Sequence, residues 1–162
     1  MTDIYISLGS NVNRLDNVKA GLIALTAEFG SLTLSSLFAS QAVGFEGAEF
    51  YNMVIKANTE LSVSQVAEKL RAIEFTYGRE VDAKKFSPRT LDLDLLLFDQ
   101  LIIETPVQLP RAEITENAFV LWPLAEIAPL LMHPIKQKNY QQLWQQYNKK
   151  QQLEIVPFTW PE

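Results

Sequence analysis

The sequence contains no cysteine, which excludes disulfides and thiolate chemistry and gives no sign of an oxidising compartment. Its one histidine, His133, precedes Pro134 and cannot build a zinc site alone, so it reads as a surface or half-buried turn residue. There is no G-x-x-x-x-G-K followed by Ser or Thr, hence no P-loop, and no G-x-G-x-x-G. No G-x-S-x-G or Cys-His arrangement offers a covalent nucleophile. A basic excess is also missing: the net charge is −5, which argues against nucleic acid as the main partner. Met1-Thr2-Asp3 leads straight into a strand pattern, without a basic start or a long apolar run. Neither a signal peptide nor a membrane span is expected, and the protein reads as soluble and cytoplasmic.

What is present suits one domain over residues 1–162, with 48% hydrophobic residues to build its core. Ile4, Ile6 and Leu8 alternate with Tyr5 and Ser7 as a strand that Gly9-Ser10-Asn11 stops. Leu15, Val18, Leu22, Leu25 and Phe29 recur at spacings of 3, 4, 3 and 4, one helical face closed by Gly30. Leu32–Phe38 reads as a second strand and Phe50–Ala57 as a third. The long loop between them, Ala39–Glu49, is a candidate functional segment. Ser62 and Gln65 form a capping box for a helix whose buried stripe is Val66, Leu70, Ile73 and Tyr77, ended by Gly78. Glu74 borders that stripe and reads as a solvated helix charge. Arg79–Ser87 is a polar loop.

The next strand, Leu91–Phe98, is apolar except for two carboxylates. Asp92 and Asp94 share one side of it, about 6–7 Å apart. Acids so placed repel each other unless something positive compensates. One solution is a hard divalent cation with oxygen ligands. Lys84, Lys85 and Arg89 lie just upstream and suit a polyphosphate bridged by Mg²⁺. The alternative is a solvent-facing strand end with the aspartates paired to Arg89 or Lys85.

Leu101–Ile103 suggests a short return strand, and Asn117–Ile127 a short helix interrupted by Pro123. Tyr140, Leu143, Trp144 and Tyr147 mark a last amphipathic helix, and Gln151–Phe158 an edge strand ended by Pro157. The order predicts an α+β fold: a ferredoxin-like βαββαβ core with an antiparallel sheet, plus extra C-terminal helices and a strand.

K-F-S-P-R-T-L-D-L-D-L at Lys85–Leu95 resembles the signature of the 6-hydroxymethyl-7,8-dihydropterin pyrophosphokinases. So do Y-I-S-L-G-S-N at Tyr5–Asn11, Phe50 with Asn52, I-E-x-x-x-G-R at Ile73–Arg79, and F-V-L-W-P-L-A-E-I-A-P at Phe119–Pro129. The resemblance implies a ferredoxin-like folate-pathway enzyme, expected as a monomer. It would move the β,γ-pyrophosphate of ATP to the hydroxymethyl group of the dihydropterin, giving AMP. It implies two Mg²⁺ ions on Asp92 and Asp94, and Arg79, Arg89 and Lys85 near the phosphates. Glu74 would lie in the nucleotide region. The pterin would stack between Phe50 and Phe119, with Asn52 on its edge and Phe86 closing over it. Ser40, Ala42 and Val43 would touch it from the early loop.

The sequence departs from the family pattern at Ser87, at Ser40-Gln41-Ala42, and at Val81 in place of an arginine. Arg111 stands where the family has a histidine on the ATP side, and Asn117 where it has an arginine. A weakly catalytic or inactive pterin-binding paralogue is therefore the rival expectation.

Overall fold

The computed structural model describes residues 1–40, 49–77, 91–149 and 151–160. Gly78, Val81, most of the long loop and the basic approach to the aspartates lie outside these.

Strand β1 (Thr2–Ser10) lies inside the sheet, next to its β5 edge. It pairs antiparallel with β4 (Phe50–Thr59) on one side and β5 (Asp92–Phe98) on the other. Strand β3 (Leu37–Ser40) joins β4, and β6 (Leu153–Val156) joins β3, giving the order β5-β1-β4-β3-β6. The two-residue β2 (Thr33–Leu34) also pairs with β4. This is the expected antiparallel ferredoxin-like arrangement, extended at one edge by the C-terminal strand.

Alternation along the strands sorts side chains to two faces. Ile4, Ile6, Leu8, Met53, Ile55, Leu93 and Leu95 face one core with Val18, Leu22 and Leu25 of α1 (Arg14–Phe29) and Val66 and Leu70 of α2 (Val63–Tyr77). Helix α1 closes as expected on Gly30, whose φ of 79° suits glycine and whose N–H donates to Thr26 C=O at 2.8 Å. The capping box of α2 is formed: Gln65 N–H donates to Ser62 Oγ at 3.2 Å and Ser62 N–H to Gln65 Oε1 at 2.9 Å. The other face carries a second core, where Tyr5, Val54 and Leu96 meet Val120, Leu121 and Leu124 of α4 (Ala118–Ile127).

Several elements differ from the sequence expectation. Gly9 does not stop β1, which runs on through it to Ser10. The expected strand over 32–38 is broken at Ser35-Ser36, and Ala39 and Ser40 belong to β3 rather than to a loop. The break comes from the two serine hydroxyls, which compete with the ladder once distant partners engage them. Ser35 Oγ accepts from Val54 N–H at 2.9 Å, and the Ser36 N–H and Oγ both donate to the Glu126 carboxylate. Residues 101–103 form no strand, only a bridge from Ile103 to Leu109. A four-residue helix, α3 (Glu113–Glu116), precedes α4, and α4 runs through Pro123 without interruption. The stripe of α2 ends at buried Glu74, with Tyr77 exposed. Helix α5 (Tyr140–Gln146) has its own capping box from Asn139 and Gln142. His133 is more buried than a turn position suggests, at 5% exposure.

Candidate active site

The register gathers the polar positions on the α4 face of the sheet. Gly9 stands between Asn52 on β4 and Asp92 on β5, and Ser7 between Val54 and Asp94. Directly paired residues point to the same face, so Asn52, Asp92 and Asp94 share one. Two strand spacings put Asn52 and Asp92 about 10 Å apart across Gly9. Glycine keeps this floor flat: an added Cβ at Gly9 would lie 3.1 Å from Asn52 Oδ1, so the amide would have to give way slightly. Phe38, paired with Asn52, confirms which face this is, since its ring meets Trp122 of α4 at 4.8 Å.

Asn52 and Ser40 are both buried, and Asn52 Nδ2 donates to Ser40 Oγ at 2.8 Å. Phe50, two pairs further along and so on the same face, sits opposite Ser40 and is partly buried. The two aspartates are partly exposed on the outer strand β5. Arg111 reaches this strand from the connection after it: its N–H donates to Leu96 C=O at 3.1 Å and its Nη2 lies 3.3 Å from Asp94 Oδ1. Arg111 Nε is 2.9 Å from Glu113 Oε2, an ion pair not aligned as a hydrogen bond.

Glu74 corrects its sequence reading as a solvated charge. It is buried at 9% exposure, and its Oε2 accepts from Leu93 N–H at 3.1 Å. The carboxylate of α2 therefore grips β5 at the residue between Asp92 and Asp94. Phe119 lies in the first turn of α4, partly buried against the second core. Of the remaining expected site residues, Ala42, Val43, Arg79, Lys85, Phe86 and Arg89 lie outside the described residues. Gly9 was absent from the sequence-derived site; its place in Y-I-S-L-G-S-N was the signal. Among the described residues, no group of three or more His, Cys, Asp or Glu is placed to hold a metal.

Residues 5–129 match the family 7,8-dihydro-6-hydroxymethylpterin-pyrophosphokinase. This chain belongs to that family. It is 33% identical over 141 residues to a 2-amino-4-hydroxy-6-hydroxymethyldihydropteridine pyrophosphokinase of Aquifex aeolicus, covering 85% of this chain and 88% of that one. The Bacillus subtilis protein of the same name is 37% identical over 128 residues, 76% of each chain. The fold is also that of Plasmodium falciparum HPPK-DHPS, with a TM-score of 0.72 at 12% identity over 91% of this chain. The chain spans 44% of that longer protein, and the likeness concerns the fold alone. No described helix is long and apolar enough to cross a membrane.

Proposed function

We propose that the chain is an ATP-dependent pyrophosphokinase of folate biosynthesis, acting on 6-hydroxymethyl-7,8-dihydropterin. The observation that carries this is the family match over residues 5–129. The pterin hydroxyl oxygen attacks the β-phosphorus of ATP and forms one P–O bond. The bond from that phosphorus to the α-phosphate oxygen breaks. AMP leaves with the electron pair, and the hydroxyl proton is lost to solvent.

Asp92 and Asp94 are the proposed ligands for Mg²⁺, two ions with ATP. The donor set fits. Mg²⁺ takes one or two carboxylates and fills its shell with phosphate oxygens and water. Bound there, Mg²⁺ supplies charge neutralisation on the phosphates. Arg79, Arg89 and Lys85 are proposed to hold the transferring group, and Arg111 the ATP side, where the family histidine would stand. Glu74 would serve the nucleotide region through β5, whose backbone it holds between the two ligands. The pterin is proposed to stack between Phe50 and Phe119, with Phe86 over it and with Ser40, Ala42 and Val43 at its border. Asn52 would read its edge, with its amide fixed by Ser40. The relatives above are named as pyrophosphokinases, which supports the enzyme over the binding-protein rival.

The test is AMP formation from ATP and the hydroxymethyl dihydropterin with Mg²⁺. Asp92→Ala and Asp94→Ala should each lose at least about 10²-fold in turnover, as for other charge-stabilising groups. Tight pterin binding without any AMP would leave the binding-protein reading standing instead.

A further inference from the structure

We infer that Gln151 is a positioning residue for the pterin side of the site; this rests on the slot proposed above. Helix α4 begins at Ala118, one residue before Phe119. The first N–H groups of a helix need acceptors from outside it. Asn117 is of a type that commonly supplies one from its own side chain, yet it makes no such cap here. Gln151 does so instead: its Oε1 accepts from Ala118 N–H at 2.7 Å, and its Nε2 donates to Asn117 Oδ1 at 3.4 Å. Tyr147 strengthens the tie, its hydroxyl donating to Glu116 C=O at 2.9 Å.

Gln151 lies two residues before β6 in the chain. Leu153, two residues on, pairs with Ser40, and Ser40 accepts from Asn52. One side chain therefore joins the start of α4, with Phe119, to the sheet end that carries Ser40 and Asn52. The C-terminal segment fixes how far apart the two walls of the slot stand. Misplacement by about 1 Å is enough to cost up to about 10²-fold in a positioned reaction.

The experiment compares Gln151→Met, which keeps length and loses both bonds, with Gln151→Glu. Glutamate retains an acceptor for Ala118 N–H and places negative charge at a helix N-terminus, where it is favourable. Asn117 can turn its amide to donate to it. Kinetics are measured with each substrate varied, alongside thermal unfolding and pterin calorimetry. The expected result is a pterin KM raised about 5–10-fold in Gln151→Met, the scale of one or two lost hydrogen bonds. The ATP KM should stay within about twofold, and Gln151→Glu should restore the pterin KM. Should Gln151→Met fail to fold, Gln151→Ala also removes both bonds, with less side chain to pack, and the same split between the substrates is read. Phe119→Ala is the control. If it raises the pterin KM while the Gln151 variants do not, the inference falls and the slot stands. If Phe119→Ala leaves pterin binding untouched, the slot itself fails. Equal losses toward both substrates with a lowered Tm would make Gln151 a structural cap only, which also overturns the inference.

Discussion

Arg111 Nη2 lies 3.3 Å from Asp94 Oδ1, so a cation from the connection after β5 rests on one of the two proposed magnesium ligands. Both side chains keep substantial solvent contact, 31% for Arg111 and 45% for Asp94. Pairs this exposed contribute at most about 1 kcal/mol to stability. The arginine is therefore better placed to serve a ligand than to hold the fold. Arg111→Ala should leave unfolding free energy within about 1 kcal/mol of wild type. If Arg111 bonds the triphosphate, the same change should raise the ATP KM about 10–100-fold, the value of a charge-assisted hydrogen bond. Titrating ATP at saturating pterin checks this. An unchanged ATP KM with a clearly lower stability would assign Arg111 to structure alone.

Asn117, the residue before α4, is the second position where the proposed ATP side departs from the family pattern. Its side-chain Oδ1 accepts from Gln151 Nε2 at 3.4 Å, at the position where the family pattern carries an arginine. Asn117→Arg supplies a fixed charge and a multidentate donor that an amide lacks. It should lower the ATP KM about 10-fold if the departure at this position weakens nucleotide binding. Kinetics at saturating pterin decide the point. No gain in the variant, with brisk wild-type turnover, would show that Arg111 already compensates.

The core of the fold was legible because its signals were local. Val18, Leu22 and Leu25 repeat at helical spacing, Ser62 and Gln65 cap each other three residues apart, and Ile4, Ile6 and Leu8 alternate. The pairing of Asp92 with Asp94 on one face followed from strand parity alone. What the sequence concealed depends on contacts between distant segments. Glu74 looks like a solvated charge until Leu93 N–H is brought to it from β5. Ser35 and Ser36 break a strand because Val54 and Glu126 engage them. Gly9 reads as a terminator, yet it is the flat spot between Asn52 and Asp92. The roles of the phosphate-binding cations came from family resemblance rather than from spacing, and most of those residues lie outside the described ones.

Glu74 gives a stability prediction with a functional side. Removing its carboxylate strips the acceptor from Leu93 N–H in a buried setting. An orphaned buried donor costs about 1–3 kcal/mol. Glu74→Ala should lose that much in urea unfolding. Glu74→Gln, which keeps an acceptor oxygen, should lose less. Magnesium-dependent turnover should fall in step with stability if Glu74 acts by holding β5. A large drop in turnover at unchanged stability would instead point to direct contact with nucleotide.

Tyr140 is fully buried, yet its hydroxyl has no hydrogen-bond partner in the protein among the described residues. Burial, with Tyr5 nearby, pushes its phenol well above the ordinary range. A buried hydroxyl without a partner costs free energy, so removing it should not harm the fold. Tyr140→Phe is expected to be neutral or to stabilise by up to about 1 kcal/mol. Thermal unfolding at neutral pH measures it. A loss of more than that would reveal a bond to the hydroxyl in solution.

His133 sets a pH dependence whose sign follows from its contacts. Its Nδ1 accepts from the N–H groups of both Ile135 and Lys136, each at 3.1 Å, so the turn requires that nitrogen unprotonated. Burial, and then the Lys136 charge, hold its pKa below the ordinary 6.5. The Tyr140 ring packs edge-on at 5.9 Å and adds no opposing charge. In the unfolded chain the imidazole takes up a proton near pH 6.5, while in the folded chain it resists until a lower pH. The unfolded state therefore binds more protons across that window. The His133 contribution is fully present above about pH 6.5 and is lost as pH falls through the folded pKa. The slope for one proton is at most about 1.4 kcal/mol per pH unit. Other groups titrate in the same range, so the comparison is with His133→Asn, whose side-chain oxygen can accept from the same turn without titrating. Urea unfolding of both forms between pH 8 and pH 5 should show curves that run parallel above about pH 7. Below that, the wild type should lose stability faster. Curves that stay parallel down to pH 5 would mean that the turn tolerates the protonated ring.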